Sequence, residues 1–234
     1  MKLLATPGMR SEPVPVIVTP ATFKASAASL ASLRPAPVLY QPGFRSILVT
    51  SVHGYSHLRD GTVKAKDSGT LEASHAIAYA AGTSWLAVGE DGAIDSNHHT
   101  NTPFKEALSQ VLMDLQPRLV LDIHASNAMR PFDVELGSHD QASWLGQNHW
   151  RDALEETLTR TGFWVTDNQV FRAYGSTPDA ETITTYCRNR RVPCVQLELN
   201  SALIYELDTR QALHTYAKLV NALAAFIATL EPKR

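Results

Sequence analysis

Three short apolar runs each end in a residue able to bind a metal ion or move a proton. ILVTSV runs into His53, RLVLDI into His124, and PCVQL into Glu198. Imidazoles and carboxylates are the side chains that hold zinc or act as general acids and bases near neutral pH. Their value here lies in placement. A β-branched apolar run reads as a buried strand, and three strands delivering such residues to one edge would assemble a site.

A second histidine, His57, follows His53 by four residues in VTSVHGYSHLRDG. On a helix that spacing would turn both rings toward one ion. Here Gly54 follows His53 and no helical periodicity crosses the segment, so it reads as a strand end entering a loop. The spacing then carries no geometric meaning. His53 keeps its place at the strand tip and His57 is a loop residue, with a hydrogen-bonded surface histidine the alternative for either. In LVLDIHAS, Asp122 and His124 alternate with apolar neighbours and share a strand face. The carboxylate can then fix the ring's tautomer, as the outer partner of a metal-bound histidine does. A buried His–Asp pair without metal is the alternative. Glu198, in CVQLELN, is a carboxylate whose burial is costly unless it is paired or faces a polar cavity. It suits a general base tuned toward neutrality, or a structural glutamate paired with Arg or Lys. Other schemes are weaker, because the chain has no GxSxG elbow, no GxxxxGK[ST] loop and no GxGxxG fingerprint. Ser51, Ser56 and Ser126 lie near histidines, but nothing selects one as a nucleophile.

The elements that must position these residues alternate from Ile47 onward. ILVTSV, WLAVGE, RLVLDIHA, FDVELGS, FWVTD and PCVQLEL read as strands. TLEASHAIAYAAG reads as a helix stopped by Gly82, and PFKEALSQVLMDL as a helix with Phe104, Leu108, Val111, Leu112 and Leu115 on one face. Residues Ala142 to Arg160 read as one helix. DAETITTYCRNR is expected to be a helix capped by Asp179, and Asp208 to Leu230 a helix opened by an Asp208/Gln211 capping box. Ahead of these, two proline-rich patches predict an irregular edge over residues 1–45, around a short strand (Val14 to Val18) and a short helix (Ala25 to Leu33). The pattern predicts one catalytic domain over 1–234, a three-layer α/β/α unit with a mixed, mostly parallel sheet.

Composition narrows the partners. The chain has 234 residues, 44% hydrophobic and 19% charged, with a formal net charge of −2. That balance gives no reason to expect nucleic acid or an anionic membrane surface. Cys187 and Cys194 have neither CxxC nor zinc-finger spacing and read as free thiols. MKLLATPGMR is too short in apolar residues for a signal peptide, and no run approaches the roughly 18–20 residues of a membrane span. The expectation is a soluble cytoplasmic protein of undetermined oligomeric state.

From about Ile47 to Leu230 the chain resembles the N-formylglutamate amidohydrolase-like group of the zinc carboxypeptidase-like superfamily. The resemblance rests on an ordered series: HG followed by KDSGT, DSN before a PF-initiated helix, VLDIHASNAMRPFDVELG and VQLELNSALIY. It implies a phosphorylase/hydrolase-like fold and Zn2+ held by His53, His124 and an acid. The carboxypeptidase pattern puts that acid three residues after the first histidine, where this chain has Ser56. In related poly-γ-glutamate hydrolases an E-x-G-T segment opening the next helix supplies it, which DSGT resembles. Asp67 is therefore the implied third ligand, with an ordinary helix cap as its alternative and His57 as its rival. The resemblance makes Glu198 the catalytic base, and two histidines plus one carboxylate leave an open position for a water nucleophile. Asn97 or a nearby arginine would stabilise the oxyanion.

Two departures bear on the substrate. His98 stands where the family's D-x-N tripeptide is followed by an arginine, and Ser201 where E-x-N is followed by another. Losing those guanidinium groups weakens the case for N-formylglutamate itself. Arg59, Lys64, Arg130 and Arg172 could bind a carboxylate instead, with Arg59 and Arg130 flanking the ligand motifs. The implied activity is zinc-dependent cleavage of an amide in an N-acyl amino acid or small peptide-like molecule. The alternatives are a catalytically idle binding protein of the same fold and a metal-dependent esterase or deacetylase.

Overall fold

A computed structural model describes residues 36–230 together with Ser26, Ala28, Leu30 and Leu33. The expected strand over 14–18 lies outside the described residues; of the expected helix after it, Ser26, Ala28 and Leu30 are helical. The strands are β1 (Val38–Gln41), β2 (Arg45–Ser51), β3 (His57–Arg59), β4 (Thr62–Lys64), β5 (Thr83–Val88), β6 (Ala93–Ile94), β7 (Leu119–Ser126), β8 (Val134–Gly137), β9 (Val165–Asp167) and β10 (Cys194–Asn200). The helices are α1 (Thr70–Ala81), α2 (Pro103–Leu115), α3 (Asn148–Arg160), α4 (Ile183–Asn189) and α5 (Arg210–Thr229).

Seven strands form one sheet in the order β1-β5-β2-β7-β10-β8-β9. The pairs β5/β2, β2/β7, β7/β10 and β8/β9 are parallel, whereas β1/β5 and β10/β8 are antiparallel. The mixed, mostly parallel sheet expected from the sequence is thus the one observed. Strand period sorts the central residues onto its two faces. Ile47 and Val49 of β2, Leu121 and Ile123 of β7, and Val195 and Leu197 of β10 pack with residues of α1, α3 and α5. Leu48, Val120 and Cys194 belong to the opposite cluster, with Phe104 and Leu108 of α2 and Ile183 and Tyr186 of α4. Each large apolar side chain so buried contributes about 1.5–3 kcal/mol by leaving water. On this second face the apolar residues give way, along β7 and β10, to Asp122, His124, Gln196, Glu198 and Asn200. The site therefore occupies the carboxyl ends of β2, β7 and β10 on the α2/α4 side.

Several boundaries differ from expectation. The span from Ala142 to Arg160 is not one helix. A 3-10 turn covers Ala142–Trp144, and left-handed Leu145 (φ 52) and Gly146 (φ 86) break it before α3 begins. Helix α4 is capped by Thr182, whose hydroxyl accepts from the Thr185 N–H, and not by Asp179. Helix α5 is capped by Thr209, which accepts from the Ala212 N–H, in place of the Asp208/Gln211 box. In both cases a threonine nearer the first helical residue reaches the free amide first. Helix α1 does end at Gly82 (φ 67), whose N–H bonds back to Ala78 and Tyr79. Residues after His53 fold into an unexpected three-stranded sheet, β4-β3-β6. Its hairpin turns at Asp60 (φ 50) and Gly61 (φ 75), the left-handed pair of a two-residue connection.

Cys187 and Cys194 are buried and free. Among the described residues no helix is long and apolar enough to cross a membrane. His75 of α1 is buried between the Ser26 hydroxyl, 2.7 Å from Nδ1, and Gln41 Oε1, 3.0 Å from Nε2. The amide oxygen can only accept, so Nε2 carries the hydrogen and Nδ1 accepts from Ser26. Burial lowers the pKa of His75 below its ordinary 6.5. A depressed folded pKa means that the unfolded chain takes up the proton first. The contribution of His75 is complete above about pH 6.5 and lost as pH falls through the lower folded value. Urea unfolding from pH 7.5 to 5 should therefore show a steeper loss of stability for the wild type than for His75→Asn.

Candidate metal centre

His53 sits two residues beyond β2, and His124 lies near the end of neighbouring β7. Asp67 reaches them from the segment before α1. One oxygen, Asp67 Oδ2, stands 3.4 Å from His53 Nδ1 and 3.3 Å from His124 Nδ1. The opposite nitrogen of each ring is also held: His53 Nε2 lies 2.8 Å from Asp95 Oδ1 and His124 Nε2 3.0 Å from Asp122 Oδ2. Carboxylates accept, so both Nε2 atoms carry hydrogens, and the two Nδ1 atoms, which face Asp67, are the nitrogens a metal ion would take in place of a proton. Donors spaced roughly 3.3 Å apart match the edge of a tetrahedron around zinc with bonds of about 2.0–2.1 Å. The carboxylate–histidine arrangement also matches the outer support of metal-binding imidazoles. These residues would hold the ion.

Asp67 is not the helix cap. That position belongs to Gly69 in the left-handed conformation (φ 87), without a side-chain cap. A Cβ at Gly69 would come within 2.3 Å of the Ile204 carbonyl oxygen. The glycine lets the chain turn against the segment after β10 and present Asp67 inward, while the Asp67 N–H bonds the His53 carbonyl at 2.8 Å. His57 is no wandering loop residue either. It opens β3, is buried, and stacks on His53 with ring centroids 4.0 Å apart and planes 6° from parallel. Its Nε2 lies 3.6 Å from Asp95 Oδ2, so the two stacked rings also share the Asp95 carboxylate.

Asp95 is the member of the site that sequence reasoning missed. Besides His53 it accepts from Arg59 Nε at 2.6 Å and from the Asn97 N–H at 2.8 Å. The signal was present in the DSN tripeptide, but its partner is distant in sequence. Electrostatics follow the geometry. Burial pushes Asp67 and Asp95 up, yet their histidine partners, and Arg59 for Asp95, outweigh it and hold both far below the usual carboxylate range. Burial pulls His53 and His124 down, but Asp67 with Asp95, and Asp122 with Asp67, raise them above the ordinary histidine value. Because Asp95→Asn keeps the shape but loses the charge holding the His53 ring, zinc affinity should fall about 10–100-fold. Competition with a chromophoric chelator would measure it.

Glu198 of β10 lies beside His124 in parallel register. Its Oε1 accepts from Gln196 Nε2 at 2.7 Å. Burial raises its carboxyl and His124 opposes, leaving it pushed up to about 7. His53, Asp67, His124 and Glu198 all line a cavity of about 270 Å³, as do Arg59 and Asn97. Asn97 Oδ1 accepts from the Ile183 N–H at 2.8 Å, which leaves its amide N–H groups for the cavity. Arg130 and Arg172 are not in the cavity wall. The Arg130 guanidinium lies 5.4 Å over the ring of Phe171, which does line the cavity, and Arg172 pairs with Asp140 at 3.6 Å. Lys64 is exposed on β4. His98, in the place of the family arginine, is buried and turned to Asp60, while Ser201 begins a 3-10 turn after β10.

The profile of the N-formylglutamate amidohydrolase family matches residues 94–205, a span that takes in Asp95, Asn97, His124 and Glu198. Among solved structures, an N-formylglutamate amidohydrolase from Ralstonia eutropha JMP134 superposes with a TM-score of 0.60 at 16% identity, covering 84% of this chain and all (100%) of that one. A metallo-carboxypeptidase from Burkholderia cenocepacia gives 0.53 at 10% identity, over 92% of this chain and 70% of that one. The succinylglutamate desuccinylase of Chromobacterium violaceum gives 0.51 at 13% identity, over 90% and 78%. No curated protein sequence matches significantly. These relatives are hydrolases by name, and two of them act on acylated glutamate. Over residues 94–205 the chain is similar to the N-formylglutamate amidohydrolase family, and its fold is that of the N-formylglutamate amidohydrolase and metallo-carboxypeptidase structures.

Proposed function

We propose that the chain is a zinc-dependent amidohydrolase that cleaves the amide bond of an N-acyl amino acid or a small peptide-like molecule. One observation carries the reading. Asp67 Oδ2 and two histidine Nδ1 atoms converge, with both Nε2 atoms tied to carboxylates, on a cavity that Glu198 also lines. Bound zinc supplies Lewis acidity to the carbonyl and lowers the pKa of water. Glu198 takes the proton of the attacking water and passes it to the leaving amine nitrogen. The Asn97 amide donates to the developing oxyanion. Arg59, whose Nε is fixed on Asp95, turns the rest of its guanidinium to a substrate carboxylate. A cavity of about 270 Å³ suits a small substrate.

His98 and Ser201, in the places of two arginines, favour a second reading: a protein that binds such molecules without turning them over. Zinc-loaded protein offered N-formyl, N-acetyl and N-succinyl amino acids, dipeptides and matched esters separates the readings. Amide turnover abolished by a chelator is the expected result. Binding without turnover would establish the idle protein, and turnover of esters alone an esterase.

A further inference from the structure

A second group of metal-ligand side chains lies outside the cavity. His98 Nε2 stands 3.0 Å from Asp60 Oδ2, and His99 Nε2 stands 3.8 Å from Asp60 Oδ1. All three donor atoms lie within 4.8 Å of one another. The two rings meet edge to face, with planes 84° apart, so that adjacent residues present their nitrogens to one carboxylate from different directions. Each His98 nitrogen has its own role. Nδ1 lies 3.3 Å from the Ser176 hydroxyl, which can accept its hydrogen when an ion replaces the proton between Nε2 and Asp60.

We infer that Asp60, His98 and His99 form a second divalent transition-metal site, distinct from the one at His53, Asp67 and His124. Two imidazoles and a carboxylate select zinc or its neighbours in the series over calcium or magnesium, which prefer all-oxygen shells. Access is open. Asp60 is 63% exposed and His99 33%, and both line a depression of about 450 Å³ with room for water to complete the shell. The backbone around the donors is fixed. Asp60 heads the two-residue hairpin turn, and the His99 carbonyl accepts from Lys105 Nζ at 2.8 Å.

The site's position gives it a task. Asp60 directly follows Arg59 and His98 directly follows Asn97, and both of those neighbours line the catalytic cavity. An ion held here ties the β3–β4 hairpin to the segment before α2. It thereby fixes the two polar side chains that face the substrate.

The test counts zinc. Chelator-stripped protein is titrated with zinc and its stoichiometry read by native mass spectrometry for the wild type, Asp60→Asn and His99→Ala. Both changes lie at the surface, and asparagine tolerates the left-handed conformation of residue 60. Each variant should bind one zinc fewer than the wild type while unfolding at the same temperature in the absence of metal. Zinc should raise that temperature less in each variant than in the wild type. An unchanged zinc count in the two variants would overturn the inference. Asp67→Ala removes the other ion, so the two sites are counted independently.

Discussion

Glu198→Gln should leave zinc bound and lower kcat by roughly 10²- to 10⁴-fold, the usual contribution of a positioned general base. The substitution is nearly isosteric, and Glu198 is not one of the donors converging on Asp67 Oδ2, so the metal centre keeps its ligands. What the amide cannot do is accept a proton from water. The carboxyl of Glu198 is suited to that task by its burial, which brings it to about 7. The effect should therefore fall on kcat and leave zinc content unchanged, as measured by steady-state kinetics beside metal analysis. A variant that retains zinc and full turnover would remove Glu198 from the mechanism.

Asp67→Ala and His57→Ala should part company. Asp67 Oδ2 is the point on which both Nδ1 atoms converge, so its loss should weaken zinc by more than the roughly 10–100-fold cost of a lost outer partner, and abolish activity. His57 lies against a face of the His53 ring, near Asp95. Its removal should cost at most about tenfold in zinc affinity. Titration against a chelating indicator measures both. If His57→Ala lost the metal and Asp67→Ala kept it, the donor set would be His53, His57 and Asp95, which also lie within 4.8 Å of one another.

Much of this architecture could be read from residue order. The strand tips carrying His53, His124 and Glu198 were legible because a buried strand must be apolar, so a polar residue at its end stands out. The shared face of Asp122 and His124 followed from the two-residue period of a strand. The small sheet was not read, although Asp60–Gly61 is a strong hairpin signal, because β3 and β4 have three residues each and no long apolar run. That omission misplaced His57, which is buried only because the hairpin folds back on His53. Asp95 escaped for a different reason: it bonds a histidine 42 residues away, and nothing local to DSN announces that partner. Arg59 and Arg130 both flank ligand motifs in sequence, but only Arg59 reaches the cavity wall, and Arg172 does not.

The cavity has two kinds of wall. One consists of the ends of strands interior to the sheet, whose displacement would disturb the core on both faces. The other contains Phe171, Ala173, Tyr174 and Ser176, from an irregular segment after β9. That segment is held by bonds to its neighbours and not by a sheet ladder: the Val170 and Phe171 N–H groups donate to buried Glu135, the Arg172 carbonyl accepts from the His139 N–H, and the Thr182 hydroxyl donates to the Ala173 carbonyl. On the proposed reading, the residues that would break the bond and those that would select the substrate thus lie in separate parts of the chain. If that reading holds, replacement of the residues between Phe171 and Ser176 should change which substrates enter the cavity while His53, Asp67, His124 and Glu198 keep their places.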